Sequence, residues 1–225
     1  ALKTQSNTPY SNINDLYSDS YGIIWLATEN GLLQYNGYEY TKCEQDTSAQ
    51  VHYNDFRKIY EDSRQRLWVC TDKGLAIYDR KVKKYIHIDL QVCNTYVNGI
   101  EEDKDGHLWV LSQYGIVELD QEGKYLARYE LPHNFNSLVM DGDLLWIGSH
   151  HEGLYTFHLK TKEIKRITLP HPNVQAHNPR IHTLMIASDG NLYIGTRNEG
   201  LIIYNPRTNT QHSYNRENTP THIIS

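Results

Sequence analysis

The chain has 225 residues, 39% apolar and 22% charged, which is enough to bury a substantial core. Its formal charge of -5 provides no basic stripe to neutralise phosphates, so neither nucleic acid nor an anionic membrane surface is an expected partner. Usage of 18 Tyr against 2 Met and 3 Phe favours strands over helices.

Taken in chain order, one pattern recurs five times: IIWLATENGLLQYN from Ile23, RLWVCTDKGLAIYD from Arg66, HLWVLSQYGIVELD from His107, LLWIGSHHEGLYTFHL from Leu144 and NLYIGTRNEGLIIYN from Asn191. The copies align on Trp25, Trp68, Trp109, Trp146 and Tyr193, and each aromatic is followed by Gly31, Gly74, Gly115, Gly153 or Gly200. An apolar run precedes the aromatic segment, as in Ile13 to Tyr17, Phe56 to Tyr60, Val97 to Ile100 and Ile181 to Ile186. A turn separates the two, marked by Gly22, Asp105-Gly106, Asp141-Gly142 or Asp189-Gly190. A third strand follows the repeated glycine. A looser fourth closes the unit, as in Lys84 to Ile88, Tyr125 to Tyr129, Ile164 to Thr168 and Gln211 to Tyr214.

The expected unit is therefore a meander of four short antiparallel strands repeating every ~42 residues, the length of a propeller blade. Such a meander cannot hide both of its faces alone, so copies must stack. The expected fold is all-β, one β-propeller segment over residues 1–225, with blades at about 11–50, 51–92, 93–132, 133–172 and 173–216. Residues 217–225, ending His222-Ile223-Ile224-Ser225, read as the start of a sixth blade. The segment is then part of a longer propeller, unless five blades close and the tail is an accessory.

No stretch reaches the ~18 apolar residues of a spanning helix, and Ala1 is not followed by the charged and apolar regions of a signal peptide. The expected segment is soluble, with any leader or anchor of a parent protein lying outside it. Cys43, Cys70 and Cys93 match no zinc or redox spacing. Cys70 shares a strand column with Ala27, Leu111, Gly148 and Gly195, which makes it a small buried apolar residue.

These residues resemble the two-component regulator propeller repeat: an inner strand, Asp-x-x-Gly, Ile-Trp-Ile-Gly-Thr, a polar turn, Gly-Leu and Tyr-Asp. The pattern stands here as Asp19 to Gly22 with IIWLAT and Gly31-Leu32, Asp62 with LWVCT and Gly74-Leu75, and Asp103 to Gly106 with LWVLS and Gly115-Ile116. LWIGS with Gly153-Leu154 and LYIGT with Gly200-Leu201 complete it. Tyr35-Asn36-Gly37-Tyr38 is similar to a Tyr-Asp-Gly-Tyr of first blades. Departures are Tyr193 for Trp, Cys70 and Leu111 for Gly, and a shortened fourth hairpin. The resemblance implies the periplasmic sensor of a Bacteroides-type hybrid two-component histidine kinase, detecting mono- or oligosaccharides. It also implies further blades and a second propeller as partners, and a homodimer.

In a meander alternate turns fall at one end, so the turns after the aromatic strands share a rim with the links between blades. Variable polar residues gather there, and Lys73, Tyr114, His150, His151, Glu152, Arg197 and Asn198 are the expected ligand-binding set. His150, His151 and Glu152, with His171, His177 and His182, suggest a metal, but no pair has ligand spacing on one element, so no metal site is expected. Asp19, Asp62 and Asp103 recur at one blade position and read as turn residues rather than catalytic acids. No phosphate loop, nucleophile elbow or Cys/His pair is present, and no cofactor is implied. The expected function is a sensing and interaction module without a catalytic site. A polysaccharide lyase or hydrolase, or a scaffold without a ligand, are the alternatives.

Overall fold

A computed structural model describes residues 12–46, 48–92, 95–170, 179–197 and 199–215. They form twenty strands in five four-stranded antiparallel blades of a β-propeller fold, each paired in simple meander order. Blade one is β1 (Ile13–Ser18), β2 (Ile24–Thr28), β3 (Gly31–Tyr35) and β4 (Tyr40–Lys42). Blade two is β5 (Phe56–Glu61), β6 (Leu67–Thr71), β7 (Gly74–Asp79) and β8 (Lys84–Ile88). Blade three is β9 (Val97–Glu102), β10 (Leu108–Ser112), β11 (Gly115–Leu119) and β12 (Tyr125–Tyr129). Blade four is β13 (Ser137–Asp141), β14 (Leu144–Ser149), β15 (Gly153–His158) and β16 (Ile164–Ile167). Blade five is β17 (Ile181–Ile186), β18 (Leu192–Thr196), β19 (Leu201–Asn205) and β20 (Thr210–Tyr214). The strands expected from the repeat are present, and residues 217–225 lie outside the described residues.

Contacts divide the chain into two compact units, one within residues 1–128 without 103–105 and 114–116, the other comprising those two turns and residues 129–225. In unit one the stacking follows from the repeat. Trp25, Ala27 and Leu32 of blade one pack on Phe56, Ile59, Leu67 and Val69 of blade two. Trp68, Cys70 and Leu75 of blade two do the same against Val97, Ile100 and Leu108 of blade three. In unit two Trp146 and Leu154 cover Ile181, Leu184, Leu192 and Ile194. In these three pairs the aromatic column is the lid of the next blade's inner strands, and each fully buried side chain contributes roughly 1.5–3 kcal/mol.

The repeated acids close the first hairpins. Asp62 Oδ1 accepts the amides of Arg64 (3.0 Å) and Arg66 (2.8 Å), while Oδ2 accepts the Trp68 indole at 2.7 Å. Asp19 repeats this with the amides of Tyr21 and Ile23 and with Trp25 Nε1. In blade four, whose hairpin is short, Trp146 Nε1 reaches Asp141 at 3.3 Å.

Four inner strands carry one extra residue, at Asn14, Arg57, Asn98 and His182, and blade four pairs without a shift. Such bulges turn a side chain out of the sheet's alternation. Asn14 Nδ2 thereby reaches the Phe56 carbonyl at 2.8 Å. Asn136, preceding β13, reaches the Ile181 carbonyl at 3.0 Å.

Cross-strand partners explain the varied column. Leu111 faces Gly99, whereas Gly195 faces Thr183 and Gly148 faces Ser137. A Cβ on Gly195 would lie 2.7 Å from Thr183 Cγ2, so one large member per pair fills the space.

Candidate functional site: the rim of interstrand turns

In both units the turn joining the second and third strands of a blade is bonded to the link that enters that blade. Asp72 N donates to Asp55 O and Gln113 N to Tyr96 O in unit one, each at 2.9 Å. Arg197 N donates to Arg180 O at 2.9 Å in unit two. This is the shared end expected of the meander. The turns themselves are held by a hydroxyl column. Thr28, Thr71 and Thr196 each donate to the carbonyl of Gly31, Gly74 or Gly200 at 2.7–2.8 Å. The Lys73 amide donates back to Thr71 Oγ1, and the amides of His151 and Glu152 to Ser149 Oγ. This Thr/Ser position stands in every copy of the repeat, yet only the structure reveals its work.

Lys73 lies in the β6–β7 turn of unit one, and Tyr114, 49% exposed, in the β10–β11 turn. Unit two brings together His150, His151 and Arg197, with Glu152 on the same turn. His150 Nε2 lies 3.4 Å from Nδ1 of His182, the bulge residue of β17, with the rings edge to face at 4.9 Å. Burial lowers the His150 pKa below the ordinary histidine value, and the neighbouring charges of His182, His151, Arg197 and Arg180 lower it further. Glu152 points to His133, Oε2 to Nε2 3.9 Å. Arg180 and His133 were not marked by the sequence, because only the link geometry carries them to this turn. Asn198, His171, His177 and Cys93 lie outside the described residues. Among the described residues no three His, Cys, Asp or Glu side chains are grouped to hold a metal.

The corresponding part of unit one is internally satisfied. Arg57 donates to Asp55 at 3.0 Å and to Asn98 Oδ1 at 2.8 Å, and its guanidinium lies 4.4 Å from the Tyr96 ring centre. Asn14 also donates to Asp55, and Lys58 pairs with Asp15. Elsewhere in unit one a 230 Å³ hollow is lined by Gln45, Asp46, Tyr53, Lys84, Tyr85 and His87. There the Tyr53 hydroxyl meets His87 Nδ1 at 3.0 Å, and burial pushes the phenol up to about 12. Cys70 is fully buried and Cys43 nearly so, and burial raises both thiols, Cys43 to about 11, so neither is a thiolate nucleophile at neutral pH. Asp19 and Asp62 are occupied by their turns and indoles, which leaves them no converging role as acid and base.

The two component regulator propeller family model matches residues 8–30 and 91–114. None of the curated proteins matches the chain in sequence. The structure is similar to the extracellular domain of BT3049 from B. thetaiotaomicron, assigned to the hybrid two component systems, at 25% identity and a TM-score of 0.75. That match covers 91% of this chain and 30% of the other. It is similar also to the extracellular domain of BT4673 from the same organism, at 22% identity and TM-score 0.73, covering 91% and 31%. Virginiamycin B lyase from Staphylococcus aureus overlays at 15% identity and TM-score 0.71, covering 91% and 70%, a likeness of fold alone. The chain spans about a third of the length of these two extracellular domains. Among the described residues no helix is long and apolar enough to cross a membrane.

Proposed function

We propose that this chain is the ligand-sensing and interaction part of an extracytoplasmic sensor in a hybrid two-component system, periplasmic in location and responsive to glycan fragments. The observation that carries the reading is the likeness of its regulator propeller repeats to a sensor's extracellular domain at 25% identity over 91% of the chain. In this reading the unit-two rim around His150 and His182 is the ligand face. Further blades, a second propeller and a second copy of the protein are the partners that carry the signal to a histidine kinase.

The test is a panel of mono- and oligosaccharides scored both for a shift in melting temperature and for turnover. The expected result is a shift with at least one glycan, lost on His150→Ala, and no turnover of any. Turnover that disappears when rim residues are changed would overturn the reading in favour of a propeller lyase or hydrolase.

A further inference from the structure

At this rim Arg57 of unit one is neutralised by Asp55, whereas two arginines of unit two have no acid paired with them among the described residues. Arg57, Arg64, Arg66 and Arg80 of unit one each stand in an ion pair, with Asp55, Glu122, Asp62, and both Asp19 and Glu61. Among the described residues the exposed guanidinium groups of Arg180 and Arg197 stand in none. The bond from Arg197 N to Arg180 O starts the two side chains from adjacent backbone, beside the His150–His182 pair. Two acids share these turns: Glu152 is directed to His133, and Glu199, whose amide donates to Thr196 Oγ1, follows Arg197.

We propose that Arg180, Arg197, His150 and His182 form a subsite for an oxyanion carried by the ligand, a sulfate or a carboxylate. The inference rests on the sensing reading and specifies the chemistry of the same rim. Two forked donors and two imidazoles suit an anion with several acceptor oxygens, since charge-assisted bonds to such groups are short and strong. The same cations disfavour a metal. Two imidazole nitrogens 3.4 Å apart could share an ion, but no third ligand joins them among the described residues, and the guanidinium groups would repel it. The turn is held in shape by Ser149, whose Oγ receives two of its amides and donates to the Asn134 carbonyl at 2.9 Å, which lowers the ordering cost of binding.

The test titrates the 225-residue chain with glucose, glucose 6-sulfate and glucuronate, by calorimetry and by the imidazole resonances of His150 and His182. One or both charged sugars should bind at least about tenfold more tightly than glucose, and the better arm distinguishes sulfate from carboxylate. Arg180→Gln with Arg197→Gln, and separately His182→Gln, should remove that preference, all three being exposed positions. Lys81→Gln, a surface charge elsewhere, should not. Equal binding of all three sugars at these resonances leaves the sensing reading standing and overturns the oxyanion subsite. A preference that survives the arginine substitutions, binding of neither anion, or binding of zinc in their place also overturns it.

Discussion

Trp68 Nε1 donates to Asp62 Oδ2 at 2.7 Å, and Trp25 makes the same bond to Asp19 at the same distance. The aromatic that roofs the next blade is thus tied to the carboxylate that closes its own first hairpin, so one acid couples turn and stacking. Asp62→Ala removes the acceptor for two amides, the Arg66 guanidinium and a buried indole, and should cost about 3 kcal/mol or more. Asp62→Asn keeps an acceptor for the amides but opposes an NH₂ to the indole, and its loss should be intermediate. Urea unfolding of both variants measures this. A wild-type midpoint for Asp62→Asn would mean the indole bond contributes nothing.

That bond also marks how far the sequence could be read. Repeat, blade order and turn role of the acids were legible because Trp, Gly and Asp recur at fixed offsets, and period-two strands leave little choice of pairing. The indole bond was not, since an Asp before a hairpin is already explained by its turn. The rim cluster was half legible. His150, His151, Glu152 and Arg197 stand in turns that the repeat exposes. Arg180 and His182 reach them only through the entering link and a bulge, neither of which has a spacing signature.

The Leu111–Gly99 pair predicts a coupled effect. Gly99→Val would place two large side chains opposite each other in a filled column, at a cost of about 1–3 kcal/mol. Adding Leu111→Gly should recover part of that loss, as Gly195 with Thr183 already does in blade five. A double-mutant cycle in urea gives the coupling, and strict additivity would show that the two positions do not compete for volume.

Glu101, partly buried on β9, has its carboxyl pushed up to about 7 by burial, with Lys58 opposing. A folded-state value above the ordinary 4.5 means that the native state holds the proton where the unfolded chain has lost it. Stability should therefore fall as pH rises from about 4.5 to about 7, by up to about 3 kcal/mol, and level off above. Glu101→Gln should flatten that slope and be more stable than wild type at pH 8. Urea midpoints across pH for both proteins decide it, and parallel curves would show that Glu101 ionises as freely folded as unfolded.

Arg80 joins blades one and two. Its Nη2 lies 2.6 Å from Glu61 and 3.2 Å from Asp19, and Nη1 donates to the Gln65 carbonyl at 2.7 Å. Both carboxylates are buried, so Arg80→Ala strands two charges and should destabilise by about 3 kcal/mol. Arg80→Lys should rescue little, because an ammonium cannot span the three acceptors as the planar fork does. A lysine variant with the wild-type melting temperature would refute the clamp.

Leu16 occupies in blade one the place that Ile59 holds in blade two, yet Leu16 is 61% exposed and Ile59 0%. Ile13 and Ile24 repeat the contrast against Phe56 and Leu67. Leu16→Asp should change stability by less than about 0.5 kcal/mol, while Ile59→Asp should prevent folding. Light scattering distinguishes the ways this face is used. A dimer that Leu16→Asp converts to a monomer places a second copy on it. A monomer in which Leu16→Asp is as damaging as Ile59→Asp shows that the protein covers the face itself, and contradicts the exposure on which the prediction stands.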